Sequence, residues 1–182
     1  MRDVRAIVLA AGLSRRFGGP NKLLQPWRGT TVVACVVETL LACGLPVHLV
    51  TGRDAELVAA QAPGATAVFN PNFEQGMGSS LAAGVRSLPP CEGILVVLGD
   101  MPDLRPDVIR SLLDEFDREP GIIRPVYEDT PDEPGHPILF PAAYRPGLEA
   151  LQGDSGARSL IDKLITIRVP GSLPDLDYFA GS

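Results

Sequence analysis

Residues 93–104 read GILVVLGDMPDL. Unbroken aliphatic residues with a glycine at each end predict a strand over Gly93–Gly99 that is buried on both faces. The run delivers Asp100 off its carboxyl end, followed at once by Pro102. A second run of this kind, Val4–Leu9, stops at Ala10-Ala11-Gly12. Between the two, helical spacing predicts a helix over Thr30–Cys43, with Gly44 where a helix ends. A strand at Val47–Val50, a helix at Asp54–Gln61, a strand at Thr66–Phe69, a loop over Asn70–Gly76 and a helix at Met77–Leu88 follow. Beyond Asp100 the pattern predicts a helix from about Arg105 to Arg118 and strands at Ile122–Val126 and Pro137–Phe140. Short helices at Ala142–Leu151 and Gly156–Leu164 and a last strand at Ile165–Val169 close the chain. Strands buried on both faces, alternating with helices, make an α/β fold with a mostly parallel sheet and helices on each side. Ligands of such sheets bind at the carboxyl ends of the strands. The loops after Leu9 and Leu98 are therefore where chemistry is expected.

The 182 residues argue for one domain over 1–182. With 45% apolar and 21% charged residues the chain has ordinary globular composition. Its net charge of -6 argues against nucleic acid as a partner. Uncharged apolar stretches fall short of a membrane span, and the first residues carry no cleavage-site pattern of a secretory leader. The cysteines, Cys35, Cys43 and Cys91, have no metal-ligand spacing and suit a reducing compartment. Together these features predict a cytoplasmic protein away from membranes.

The first loop, LAAGLSRRFGGPNK (9–22), lies in a window with a one-sided charge. From Val4 to Val37 there are Arg5, Arg15, Arg16, Lys22 and Arg28, and no acid. Glycines 12, 18 and 19 allow backbone N–H groups to approach a ligand closely. A glycine loop with cations after a buried strand makes an anion cradle, with phosphate the usual anion. The dinucleotide fingerprint G-x-G-x-x-G does not fit these spacings, and the Walker pattern needs a Gly-Lys pair that the chain lacks. Asp100, at a strand end near this loop, is well placed to hold Mg²⁺. Its other reading is a helix cap, for which Asp103 competes. Near the C-terminus, Asp175 and Asp177 point the same way in an extended segment: either a second carboxylate for the metal or a solvated tail. His48 reads as a packed histidine. His136 is either a substrate contact or a structural hydrogen-bonding group of a Gly-His-Pro turn. Trp27 and Met77 read as packing residues.

LAAGLSRRFGGPNKLL (9–24), FNPNFEQGMGSSLAAGV (69–85), VVLGDMPDL (96–104), GHPILF (135–140) and LQGDSGARSL (151–160) resemble, in order, segments of the molybdenum cofactor cytidylyltransferase family. That family sits within the nucleotidyltransferases that include the molybdopterin guanylyltransferases. The resemblance implies a Rossmann-like nucleotidyltransferase fold. It implies Gly12 and Ser14 around the nucleotide phosphates, Arg16 and Lys22 on the triphosphate, and Asp100 on Mg²⁺. Asn70, Gly76, Ser79 and Ser80 match positions near base and sugar. Gly135, His136 and Asp154 match positions facing the acceptor. The pair Ala10-Ala11 resembles the cytidylyl branch, the guanylyl branch usually having a glycine there. The activity implied is transfer of CMP from CTP to molybdopterin or molybdenum cofactor, with release of pyrophosphate, and the implied partner is a molybdoenzyme or its maturation factor. Alternatives are GTP as donor, a sugar phosphate as acceptor, or a non-catalytic carrier of nucleotide or cofactor.

The chain departs from the family in two places. Asp175-Leu176-Asp177 is followed by Tyr178-Phe179 where the family continues differently, and the loop EDTPDEPG (128–135) is longer and more acidic than usual. If the tail stands in for the family's D-I-D, Asp177 is the second metal ligand and Asp175 its outer partner. Arg28 is placed beyond the phosphate loop, so Arg28→Ala is expected to change little.

Overall fold

The computed structural model describes residues 2–12, 21–133, 135–154, 156–161 and 163–172. The two runs that decide the sequence reading form β1 (Val4–Ala10) and β6 (Gly93–Leu98), which pair in parallel from Val4↔Gly93 to Leu9↔Leu98. On the other side of β1 lie β4 (Val47–Thr51) and β5 (Thr66–Phe69), both parallel to it. Beyond β6 come β8 (Ile138–Pro141), antiparallel, then β7 (Ile122–Tyr127) and β9 (Leu164–Val169), which pair in parallel with each other. The seven-stranded order is β5-β4-β1-β6-β8-β7-β9. The chain thus winds outward from β1 to β5 and returns on the far side of β1 at β6. That reversal opens a crevice at the carboxyl ends of β1 and β6.

Strand alternation sends β1 side chains to two cores. Ala6 and Val8 face α1 (Val32–Ala42) and α4 (Pro106–Arg118), among Val36, Leu40, Ile109, Leu112 and Phe116. Ile7 faces α3 (Met77–Ser87) and α5 (Arg145–Glu149), among Leu81, Val85 and Leu148. Each fully buried Leu, Ile or Phe contributes about 1.5–3 kcal/mol. The short helix α2 (Ala55–Ala60) adds Val58 to the first core. Gly84 lets α3 lie close on the sheet, since a Cβ there would meet Ile7 and Val50 side chains at 2.7 and 2.8 Å. Among the described residues no helix is long and apolar enough to cross a membrane.

The structure corrects several boundaries. Thr30-Thr31 is not the first turn of a helix but β3, paired antiparallel with β2 (Pro26–Trp27). Arg28 (φ 46) and Gly29 (φ 89) turn this hairpin, both in the left-handed region that two-residue hairpin turns require. Ala142–Leu151 splits into a 3₁₀ turn at Ala142–Tyr144 and α5. The helix expected over Gly156–Leu164 is a single 3₁₀ turn, Ala157–Leu160, and Leu164 already belongs to β9. There the β-branched Ile165, Thr166 and Ile167 favour an extended backbone and pair along β7. Edge strand β5 is largely exposed, with Phe69 at 59%. Met77, read as packing, is half exposed on the first turn of α3. His48 is buried in β4 and bonded to Ser87 Oγ (2.9 Å), as a packed histidine should be. Trp27 is partly buried against the first core.

Candidate active site

Ala10 ends β1, opposite Thr51 of β4, and Ala11 is buried against the α3 core. Among the described residues nothing lies within 4 Å of where a Cβ on Gly12 would stand. Across the crevice Gly99 donates its N–H to Leu9 O (3.0 Å), and a Cβ on it would lie 2.9 Å from that oxygen. Small residues on both lips therefore bring the ends of β1 and β6 together and present Asp100 beside them. Ser14 and Arg16 lie outside the described residues, as do Asp175 and Asp177.

Lys22 reaches Asp100, with Nζ 2.5 Å from Oδ2 and both side chains mostly shielded, at 17% and 19% exposure. Local structure fixes the lysine. Asn21, itself buried, accepts the N–H of Leu23 and donates to Asp54 Oδ2 (3.2 Å), while Leu23 is packed in the core. Lys22 thus leaves the first residue of a 3₁₀ turn (Lys22–Leu24) held at both ends. Asp100 is not a cap, and neither is Asp103. Helix α4 has Arg105 at its N-cap position and no side-chain cap bond, with Pro106 opening the helix. Asp103 instead pairs with Arg28 (2.7 Å).

His136 approaches the same carboxylate from β8. Because β8 runs antiparallel, the residues before Ile138 lie at the edge where β6 ends. Gly135 is required by close approach, since a Cβ would run into the carbonyl of Pro125 on β7. Tyr127 Oη donates to the His136 carbonyl (2.8 Å). Burial pushes the imidazole down to about 4, opposed by the charge of Asp100 and a backbone hydrogen bond with Val96 and assisted by Arg124. The ring is therefore neutral at pH 7, and its Nδ1 is buried with no hydrogen-bond partner among the described residues.

A second group forms where β5 meets α3. The buried Asn70 donates through Nδ2 to Ser79 and Ser80 hydroxyls (3.1 Å each) and accepts from Asn72 N–H. The hydroxyl of Ser79 lies 2.9 Å from the carbonyls of Gly76 and Asn72. These polar groups are spent on one another and hold the start of α3. Gly76 (φ +117) faces Asp154, whose Oδ1 occupies the space a Cβ would need, and Gly78 donates to Gly153 O (2.8 Å). Residues expected on the nucleotide and acceptor sides thus meet in one loop junction. Asn70 also donates to Thr51 O, which ties this group to the strand beside Ala10.

Residues 6–168 match the MobA-like NTP transferase domain. The chain belongs to this family. A relative from Paenarthrobacter nicotinovorans, named nicotine blue oxidoreductase, is 36% identical over 164 residues, 85% of this chain and 79% of that one. The molybdenum cofactor cytidylyltransferase of Escherichia coli K12 is 34% identical over 142 residues, 76% of this chain and 70% of that one. Among solved structures, Rv0371c of Mycobacterium tuberculosis superposes with a TM-score of 0.83 at 29% identity, covering 96% of this chain and 92% of that one. A second crystal structure of Rv0371c is a complex with manganese. The MobA-like family assignment and the α/β sheet agree with the sequence reading.

The site suits a divalent cation in one respect that the geometry itself displays. Asp100 already holds a cationic group, the Lys22 ammonium, at its Oδ2. No cluster of three or more metal-ligating side chains exists among the described residues. One carboxylate with substrate phosphates and water is a common Mg²⁺ environment. Sequence reading missed Arg124, Asn21 and the Arg28–Asp103 pair. Arg124 carried a signal, a lone cation within the apolar run IIRPVY. The other two carried none, because the partners that matter, Asp54 for Asn21 and Asp103 for Arg28, are distant in sequence.

Proposed function

We propose that this MobA-like nucleotidyltransferase moves CMP from CTP to the terminal phosphate of molybdopterin or molybdenum cofactor. An acceptor phosphate oxygen attacks the α-phosphorus, a P–O–P bond forms, the α–β bridge breaks and pyrophosphate leaves. The Lys22–Asp100 pair at the β1/β6 crevice is the observation that carries the reading. A lysine and a carboxylate held there suit a metal-bound triphosphate, and the E. coli relative bears the matching name.

In this reading Ala10, Ala11, Gly12 and Ser14 line the phosphates, and Arg16 and Lys22 offset charge as pyrophosphate departs. Asn70, Gly76, Ser79 and Ser80 shape the base and sugar side, Asn70 and the serines chiefly by holding the α3 turn. Gly135, His136 and Asp154 face the acceptor, the neutral His136 accepting a hydrogen bond at Nδ1. Asp100 would hold Mg²⁺, which when bound supplies charge neutralisation at the triphosphate. Asp177 is the proposed second carboxylate, with Asp175 behind it. Pro170 O accepts from Arg105 (2.9 Å), so the chain before this tail runs beside the loop that carries Asp100. The reading takes 1–182 as one domain, in the cytoplasm, with a molybdoenzyme or its maturation factor receiving the product.

Calorimetric titration with CTP and GTP tests the donor. Sites built for one base edge discriminate by as much as about 10⁴, so CTP is expected to bind far more tightly. Equal or tighter GTP binding contradicts the cytidylyl assignment. A redox reading is favoured by one observation, the name of the 36% relative. It predicts no pyrophosphate release with any nucleoside triphosphate and acceptor.

A further inference from the structure

Two ion pairs join the same two stretches of chain. Lys22 to Asp100 (2.5 Å) is the inner one, and Arg28 to Asp103 (2.7 Å) lies farther along both stretches. Arg28 sits at φ 46, a left-handed conformation disfavoured for a side chain of its size. Two-residue hairpin turns of this kind ordinarily take Asn or Asp before Gly. A costly conformation at such a residue points to a role for its side chain. That side chain lies 5.9 Å from the Trp27 ring and reaches out of the hairpin to the β6–α4 loop.

The loop is held on its other side by packing. Met101 and Leu104 are buried and fix its inner side. On its outer side Pro102, Asp103 and Pro106 face a cavity of ≈ 320 Å³, whose other wall is Cys35, Glu38 and Thr39 of α1. Leu104 N–H bonds Met101 O (3.1 Å) and Pro102 is buried, so packing sets the backbone of the turn and leaves the Asp103 carboxylate to a polar partner. Arg28, which also lines this cavity, supplies the constraint.

We infer that Arg28 and Asp103 are a positioning pair, which holds the turn after β6 so that Asp100 meets Lys22 and the phosphate loop. The pair touches no reacting atom and acts through Asp100. It also neutralises a second carboxylate three residues from Asp100 that would otherwise compete for cations. The inference rests on Asp100 as the metal-side carboxylate. It reverses the sequence expectation that Arg28→Ala changes little.

The test is equilibrium dialysis of the full chain against labelled inorganic pyrophosphate over a series of Mn²⁺ concentrations. This probe is independent of base and acceptor. Arg28→Gln and Asp103→Asn are each expected to raise the Mn²⁺ midpoint about three- to fivefold, the scale of one partly exposed ion pair. The double variant should be no worse than either single one, and the exchange Arg28→Asp with Asp103→Arg should return toward wild type. Urea unfolding of each variant identifies any that fails to fold. Asp100→Asn should lose Mn²⁺-dependent binding. If it does while the Arg28 and Asp103 singles leave the midpoint unchanged, or their effects multiply, the positioning pair is overturned and the site reading stands. If Asp100→Asn binds as wild type, both are overturned.

Discussion

The parallel half of the sheet, β5-β4-β1-β6, and the mixed half, β8-β7-β9, treat their polar groups differently at the carboxyl edge. In the parallel half Asn70, Asn21, Lys22 and Asp100 are bonded within the protein. In the mixed half His136 Nδ1 and Arg124 Nε are buried with no hydrogen-bond partner among the described residues; in the parallel half Arg5 Nε shares that state near the amino end of β1, away from this edge, and Asp103 Oδ1 meets Arg28 as an ion pair. A buried polar atom left so costs about 1–3 kcal/mol. On the proposed reading the first half is built to stay as it is, and its ligand would replace ion-pair partners. The second half has unmet donors and acceptors for a ligand to satisfy. Specificity for a donor nucleotide should therefore reside in fixed geometry, and specificity for an acceptor in groups that bond only when it is bound.

The largest effect expected from breaking this contrast is at the fixed pair. Lys22→Ala should lower kcat by about 10²–10³, the scale of one charge-stabilising group, with little change in fold. Steady-state kinetics with Mg²⁺ varied checks this, and Asp177→Asn in the same series should weaken the metal dependence. His136→Gln, by contrast, should raise the acceptor KM and leave the nucleotide KM in place.

A smaller effect is expected from pH. Burial lowers both histidines below their ordinary value, His136 to about 4. The unfolded chain takes up protons near pH 6.5, and the folded chain does so only at lower pH. Stability is therefore complete above about pH 6.5 and is lost as pH falls toward 4, by about 2–3 kcal/mol from His136. Urea midpoints at pH 7 and 4.5 read the loss, and His136→Gln should reduce it. An unchanged slope would remove His136 from the buried, uncharged role.

The smallest effect belongs to the junction of the halves. Arg145 donates to the carbonyls of Val85, Leu88 and Pro89 and to Glu149, covering the open end of α3 from α5. Arg145→Ala should cost about 1–2 kcal/mol in urea unfolding, since each such bond contributes modestly. Nucleotide binding should be retained.

The parallel half was the more legible in the sequence. β1, β4 and β6 stand out because strands covered on both faces are apolar at nearly every position, Arg5, His48 and Thr51 being the polar residues in them. Asp100 follows from the same run. The hairpin at 26–31 did not show, because two-residue strands have no period and Arg28-Gly29 lacks the usual turn pair. The start of β9 was hidden by Leu160, Ile161 and Leu164, whose spacing suits a helix until pairing with β7 is known. The bonding of Asn70 to Ser79 and Ser80 was invisible for another reason. Family likeness marks positions, whereas only the fold tells whether a polar group is free or already engaged.

The central claim is nucleotidyl transfer to a phosphate-bearing pterin acceptor. Its most direct test is incubation of the full chain with each nucleoside triphosphate, Mg²⁺ and isolated molybdenum cofactor, followed by the mass of the product. A product heavier by one CMP, formed with CTP and accompanied by pyrophosphate, is the predicted result. An unchanged acceptor mass with every nucleotide, while the acceptor is intact and the protein folded, would contradict it.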